Sequence, residues 1–314
     1  MPAQPAIETE NLSMRFGQLM ALTDLSIALY PGDVFGFIGP NGAGKSTAMK
    51  IICGLLKPTS GVARVLGNDV SHSGQFVRKN VGYMPDSFGV YDDLTVTEYL
   101  EFFASAYGFK RSDRRRTVSK VLSMTELSYK EHAKVDSLSK GMQQRLGLAR
   151  VLIHDPPVLL LDEPASGLDP RARIEIRELL KRLQETGKTI MVSSHILTEL
   201  GEFSTKLGII ERGRLLVFGT QKELADRARV RAVIVVQTHP EQAARAKELL
   251  ATDPRVSSIE QNGGELRVSL ADAAAHPQFI LEILVANQVR IDSFATHELK
   301  LEEVFMRLTQ GIVN

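Results

Sequence analysis

The stretch Gly39-Pro40-Asn41-Gly42-Ala43-Gly44-Lys45-Ser46-Thr47 constrains this chain more than any other. It fits G-x-x-x-x-G-K-[ST], a glycine-rich loop that cradles phosphate. The apolar run Asp33 to Ile38 precedes it and reads as a buried strand; Thr47 to Leu56 follows and reads as a helix. Strand, loop and helix in that order form the setting this motif requires. The glycines let backbone N–H groups close on phosphate oxygens, and the helix N-terminus adds positive potential. Lys45 is expected to reach the β- and γ-phosphates, and the Ser46 hydroxyl to ligate Mg2+. The loop specifies a nucleotide but not the kind of protein that uses it.

Composition narrows the classes. A chain of 314 residues has room for one large domain and a small one. Its 43% hydrophobic and 24% charged residues are those of a globular protein. A net charge of +1 offers no bulk attraction to nucleic acid or anionic membrane, so no nucleic-acid partner is expected. The single cysteine, Cys53, allows no internal disulfide, fits a reducing compartment and reads as a small buried apolar residue. Met1 to Glu10 carries no apolar signal region, and no apolar run approaches the ~18 residues of a membrane span. A cytosolic protein is expected, with any membrane role depending on a partner.

Ile7 to Met14 and Leu25 to Leu29 read as short strands of an N-terminal sheet. Phe16 lies between them and, alone, reads as a half-buried turn residue. Gly61 to Gly67 and Val81 to Pro85 read as further strands. From about Tyr91 to Lys134 the alternation disappears. Thr97 to Tyr107, with Thr97 as the expected N-cap, and Val118 to Leu127 read as helices of an insert. The basic run Lys110 to Arg116 lacks interleaved aromatics and reads as a solvated loop and helix start. A helix from Met142 to Leu152 leads into Pro157 to Pro164, an apolar run ending in Asp162 and Glu163. These acids are expected at the carboxyl edge of a parallel sheet, where ligands of such sheets bind. Helix Arg171 to Thr186, strand Thr189 to Ser194 with His195 just beyond, and a hairpin from Leu207 to Gly219 follow.

Past about Arg227 the pattern restarts. Strand Val230 to Thr238, helix Pro240 to Thr252, two strands around Asn262-Gly263-Gly264, helix Pro277 to Ala286 and strand Val289 to Phe294 succeed one another. This β-α-β-β-α-β order predicts a ferredoxin-like domain. Glu298 to Thr309 reads as a terminal helix with an apolar stripe, Leu301, Val304, Phe305 and Leu308. His239, His276 and His297 stand isolated, so no chemistry is expected there.

Taken in order, these motifs resemble the ATP-binding subunit of an ABC (ATP-binding cassette) transporter, from Ile7 to about Leu224. The resemblance implies an α/β P-loop NTPase cassette with a helical insert, residues 1–226, the insert at about 87–145. A small α+β ferredoxin-like domain, 227–298, and a C-terminal helix, 299–314, would follow. It implies ATP on residues 39–47 and Mg2+ held by Ser46 and, through water, by Asp162. Glu163 would act as general base. His195 would contact the γ-phosphate and water. Phe16 would take the place of the family's adenine-stacking aromatic, usually Tyr. Leu138-Ser139-Lys140-Gly141-Met142 stands at the signature, commonly L-S-G-G-Q; Lys140 and Met142 depart from it, while Ser139 and Gly141 are kept. In the family that helix end faces the γ-phosphate bound by the other subunit, so Ser139, Lys140 and Gly141 would act in trans within a head-to-tail homodimer. Asp169 belongs to the D-loop. Asp86 stands where the family usually has Gln, still offering an oxygen to Mg2+ but adding a negative charge.

Leu301 to Thr309 resembles the end of type-2, multidrug and antibiotic, ABC exporter ATPases. The expected function is an ATPase motor, peripheral on the cytoplasmic face, driving export through a separate membrane permease. Two other readings stand beside it. One is a non-transport ABC ATPase, although such proteins usually carry two cassettes or a long coiled-coil insert. The other is a regulatory nucleotide-binding protein whose C-terminal module senses a small ligand. A neighbouring gene for a six-span permease separates the motor from both.

Overall fold

The computed structural model describes residues 4–87, 89, 93–196, 200–201, 203–227, 233–271 and 276–297. The chain divides into two compact units, Met1–Gln221 and Lys222–Asn314, slightly ahead of the expected break after residue 226.

In the first unit, β1 (Ile7–Phe16) and β2 (Leu19–Leu29) form a hairpin, longer than the sequence suggested. Bulges interrupt its register between Thr9 and Leu12 and between Leu12 and Met14, and these hide the strand alternation. The strand β3 (Val34–Ile38) runs into the phosphate loop and α1 (Lys45–Ile52). The strands β4 (Ser60–Val65) and β5 (Asn68–Asp69) join β1 in an antiparallel sheet of order β2-β1-β4-β5. Then come α2 (Gly74–Asn80), which the sequence reading did not anticipate, and β6 (Val81–Met84). Val77 is the buried residue of α2, too little apolar periodicity to announce a helix.

The helical insert contains α3 (Val96–Ala106) and α4 (Arg111–Met124). The N-cap of α3 is Thr95, not Thr97. Thr95 and Glu98 form a reciprocal capping box, which needs an acid or amide three residues after the cap. Thr97 has Leu100 at that spacing and instead donates its hydroxyl to the Glu131 carbonyl at 2.8 Å. The basic run lies in and just before the first turns of α4.

Next follow α5 (Lys140–Leu152), β7 (Val158–Leu161), α6 (Pro170–Glu185), β8 (Thr189–Ser194), β9 (Lys206–Glu211) and β10 (Arg214–Gly219). The main sheet has the order β10-β9-β3-β8-β7-β6, and β9, β3, β8, β7 and β6 pair in parallel. Every residue of β3, β7 and β8 is buried, which explains the apolar runs of β3 and β7 and the apolar middle of β8, Ile190 to Val192. One core cluster joins both sheets through Leu25, Leu29, Phe35, Phe37, Met49 and Ile52, so α1 is packed into the centre of the unit. The carboxyl ends of β3, β7 and β8 are adjacent, in register at Ile38↔Ser194 and Leu161↔Val192. That edge holds the site.

The helix α7 (Gln221–Arg227) begins on the last residue of the first unit, and the second unit continues with β11 (Val233–Thr238), α8 (Ala243–Ala251), β12 (Val256–Asn262), β13 (Glu265–Leu270), α9 (Gln278–Ala286) and β14 (Ile291–His297). Its antiparallel sheet has the order β12-β13-β11-β14, the arrangement of a ferredoxin-like fold. Ile234 and Val236 of β11 pack with Leu250 of α8 and Ile280 and Leu284 of α9 in a core of its own. The terminal helix expected at 299–314, with its stripe, lies outside the described residues. Among the described residues no helix is long and apolar enough to cross a membrane.

Candidate functional site

The phosphate loop is shaped by close backbone approach. A Cβ on Gly39 would collide with the carbonyl oxygen of Ile210. Gly44 has φ 108°, and a Cβ there would lie 2.5 Å from the carbonyl oxygen of Ala21, so this N-cap position tolerates only glycine. Pro40, Asn41 and Gly42 are exposed and Ala43 is buried, while Ser46 and Thr47 are half-buried in the first turn of α1. Phe16 ends β1 and is 45% exposed.

Lys45 is buried and turns back along the loop. Its Nζ donates to the carbonyl oxygens of Gly39 at 2.6 Å and Pro40 at 3.2 Å. The same ammonium lies 3.2 Å from Oε1 of Glu163. Asp162 and Glu163 leave the end of β7. Asp162 is buried, and its N–H donates to the Met84 carbonyl at 2.8 Å. Glu163 adopts φ 51°, a left-handed backbone unusual outside glycine. Nδ1 of His195, just past β8, lies 2.9 Å from Glu163 Oε2. Three strand ends and the loop thus bring Lys45, Asp162, Glu163 and His195 into one cluster.

Sequence reasoning missed Ser193. Its hydroxyl donates to Asp162 Oδ1 at 2.7 Å and accepts the Glu163 N–H at 2.9 Å. Its signal was a polar residue inside a fully buried strand, two places before the histidine. Asp86 follows β6 on an exposed segment. Nearby, burial and then the negative charge of Asp162 push the Tyr83 phenol well above its ordinary pKa, with Asp86 adding to the shift. Among the described residues no group of three or more His, Cys, Asp or Glu is arranged to hold a metal. A buried carboxylate beside a phosphate loop suits Mg2+ all the same, because that ion takes one or two protein oxygens together with phosphate and water.

The signature residues form a second cluster. Ser139 caps α5 by accepting the Met142 N–H at 3.4 Å. Asp169 caps α6 by accepting the Ala172 N–H at 2.9 Å, with Pro170 in the first turn. The Lys140 ammonium lies against Gly167, so a side chain there would displace it. Ser139, Lys140, Gly141, Gly167 and Asp169 line a cavity of about 280 Å3. Arg145 ties this end together, with Glu126 Oε2 at 3.0 Å and Glu175 Oε2 at 2.5 Å. A separate groove is lined by Leu55, Arg78, Tyr83, Phe103 and Tyr107. Of the insert's aromatics, Tyr99 is fully buried, whereas Phe102 and Tyr107 are exposed.

Residues 22–166 match the ABC transporter family, and residues 219–309 match the family described as ATP-binding protein DrrA1-3-like, C-terminal domain. The chain is 41% identical over 224 residues to the probable multidrug ABC transporter ATP-binding protein YbhF of Escherichia coli. That alignment takes in 71% of this chain but only 38% of the relative's length. It is 30% identical to the linearmycin resistance ATP-binding protein LnrL of Bacillus subtilis, covering 96% of this chain and 98% of the relative. It is 33% identical to the Nod factor export ATP-binding protein I of Paraburkholderia xenovorans, covering 98% and 97%. Among solved structures, an ATP-binding subunit of an ABC transporter is similar with a TM-score of 0.64 and 29% identity, covering 71% of this chain and 92% of that one. A dimeric ATP-binding cassette in a post-hydrolysis state, bound to ADP and Pi, is similar with a TM-score of 0.62 and 28% identity, covering 68% and 98%.

Proposed function

The chain belongs to the ABC transporter family of ATP-binding subunits, and we propose that it is the ATP-hydrolysing motor of an exporter, working through a separate membrane permease. The observation that carries this reading is the convergence at one sheet edge of buried Lys45 and Asp162 with half-buried Glu163 and the exposed His195. ATP lies along residues 39–47, its phosphates taken by backbone N–H groups and Lys45, with Phe16 against the adenine. Ser46 and Asp162 would hold Mg2+, with Asp86 as a further oxygen donor, and that ion would neutralise phosphate charge. Glu163 takes the proton of the attacking water, and His195 orients the carboxylate through Oε2.

The second cluster serves a second copy of this chain. Ser139, Lys140 and Gly141 present a helix N-terminus and an ammonium to the γ-phosphate held by the partner, and Asp169 lies at the same edge. Each homodimer then holds two shared sites. The groove lined by Leu55, Phe103 and Tyr107 lies beside the Asp86 segment and takes an apolar face of the permease, which brings the chain to the membrane surface. The second unit is dispensable for ATP binding and tunes assembly or regulation. Glu163→Gln tests the reading: ATP binding stays intact and turnover falls by roughly 10²–10⁴. Near-normal turnover by that variant would falsify the assignment of the base.

A further inference from the structure

Ser193 is completely buried, and both of its hydrogen bonds go to the two acids that end β7. We infer that Ser193 is a positioning residue that fixes the metal-side carboxylate and the general base relative to each other; this rests on the roles proposed above for Asp162 and Glu163. The parallel register of β7 and β8, Leu161↔Val192, sets the next residue of each strand, Asp162 and Ser193, side by side. A hydroxyl has one proton and two lone pairs, so it can donate to a carboxylate and accept an N–H at once. The proton goes to Asp162 Oδ1, and a lone pair receives the Glu163 N–H.

The second bond bears on catalysis because of the backbone it holds. At φ 51° Glu163 occupies a conformation that a non-glycine residue keeps only when its surroundings enforce it. The N–H is anchored by Ser193, and the carbonyl accepts the Ser166 N–H at 3.0 Å. That kink turns the Glu163 carboxylate toward Lys45 and His195, while Asp162 remains buried against Ser193. Without the hydroxyl, a buried N–H and a buried carboxylate oxygen each lose a partner, and both acids gain freedom at the atoms that matter for metal and water.

The test uses the full chain with Ser193→Ala, Ser193→Thr and, in the same assay, Glu163→Gln. Steady-state turnover is measured beside Mn2+ binding to the ATP-loaded protein by electron paramagnetic resonance. Ser193→Ala is expected to lower kcat by roughly 10–100-fold and to raise the half-saturating Mn2+ by about tenfold, the usual range for an outer partner of a metal ligand. KM for ATP should stay within about twofold, and Ser193→Thr should recover most of both losses by restoring a hydroxyl. If kcat and Mn2+ binding of Ser193→Ala stay within about twofold of the parent while Glu163→Gln stops turnover, the inference is overturned and the base assignment stands. If Glu163→Gln turns over normally, the base assignment falls, and the Mn2+ titration alone decides whether Ser193 positions Asp162. If Ser193→Ala does not fold, Ser193→Cys replaces it, with a thiol too weak to serve both acids. Full kcat and Mn2+ affinity in that variant contradict the inference.

Discussion

The ammonium of Lys45 lies 3.2 Å from Oε1 of Glu163, and its other bonds go to two carbonyl oxygens of its own loop. Both side chains are largely enclosed, at 5% and 11% exposure. The residue proposed to grip the γ-phosphate and the residue proposed to activate water are therefore electrostatic partners. If the ammonium turns to phosphate oxygens, the Glu163 carboxylate loses that contact and is released toward water.

Lys45 and Glu163 should accordingly be non-additive in stability. Lys45→Met strands an enclosed carboxylate, and Glu163→Gln removes the charge from the other side. A double-mutant cycle by urea unfolding of the nucleotide-free protein should give a coupling of about 1–3 kcal/mol. Strict additivity would show that the 3.2 Å approach carries no energy.

The cap of the insert gives a local test. Thr95→Ala removes the capping box of α3 and should cost about 1 kcal/mol. Thr97→Ala loses one exposed hydroxyl contact with Glu131 and should cost less. Urea midpoints of the two variants check the order, and a reversed order would return the cap to Thr97.

That correction shows what was legible and what was not. Thr95-Val96-Thr97-Glu98 contains the capping box in plain sequence, since only Thr95 has an acid three places on. The phosphate loop, the acids after β7 and His195 were legible because each is a short contiguous motif. Ser193 was not, because its partners lie about thirty positions earlier and meet it only through the pairing of β7 with β8. The full hairpin of β1 and β2 was obscured by its bulges, where Asn11 and Asp24 take left-handed backbones. The second unit was legible because β11 and β13 alternate buried with more exposed residues and Asn262-Gly263-Gly264 marks the turn between β12 and β13.

His154 gives the protein a pH-dependent component. Burial holds its imidazole pKa below the ordinary 6.5, partly offset by the contact of Nε2 with the Val81 carbonyl at 3.2 Å. A depressed histidine pKa means that the unfolded chain takes up the proton first as pH falls. Its contribution is therefore fully present above about 6.5 and is lost below that value. Melting temperatures at pH 7.5 and 5.5 should show a smaller acid loss for His154→Gln than for the parent. Equal losses would remove His154 from the account.

A substitution in the groove proposed for docking would separate permease contact from nucleotide chemistry. Leu55 is 64% exposed at its edge, so Leu55→Glu should leave folding and ATP affinity unchanged. Co-sedimentation with membranes containing the permease should fall severalfold. Unchanged membrane association would place the permease contact elsewhere.

In the proposed dimer a Lys45–Glu163 site on one chain is closed by the Ser139 end of another, with ATP between them. Sedimentation of Glu163→Gln, which should bind ATP without turning it over, tests this directly. The expected mass is that of one chain without nucleotide and of two chains with saturating ATP and Mg2+, with no such shift when Ser139→Arg is added. A protein that stays monomeric at saturating ATP, with binding confirmed in the same sample, would contradict the shared site.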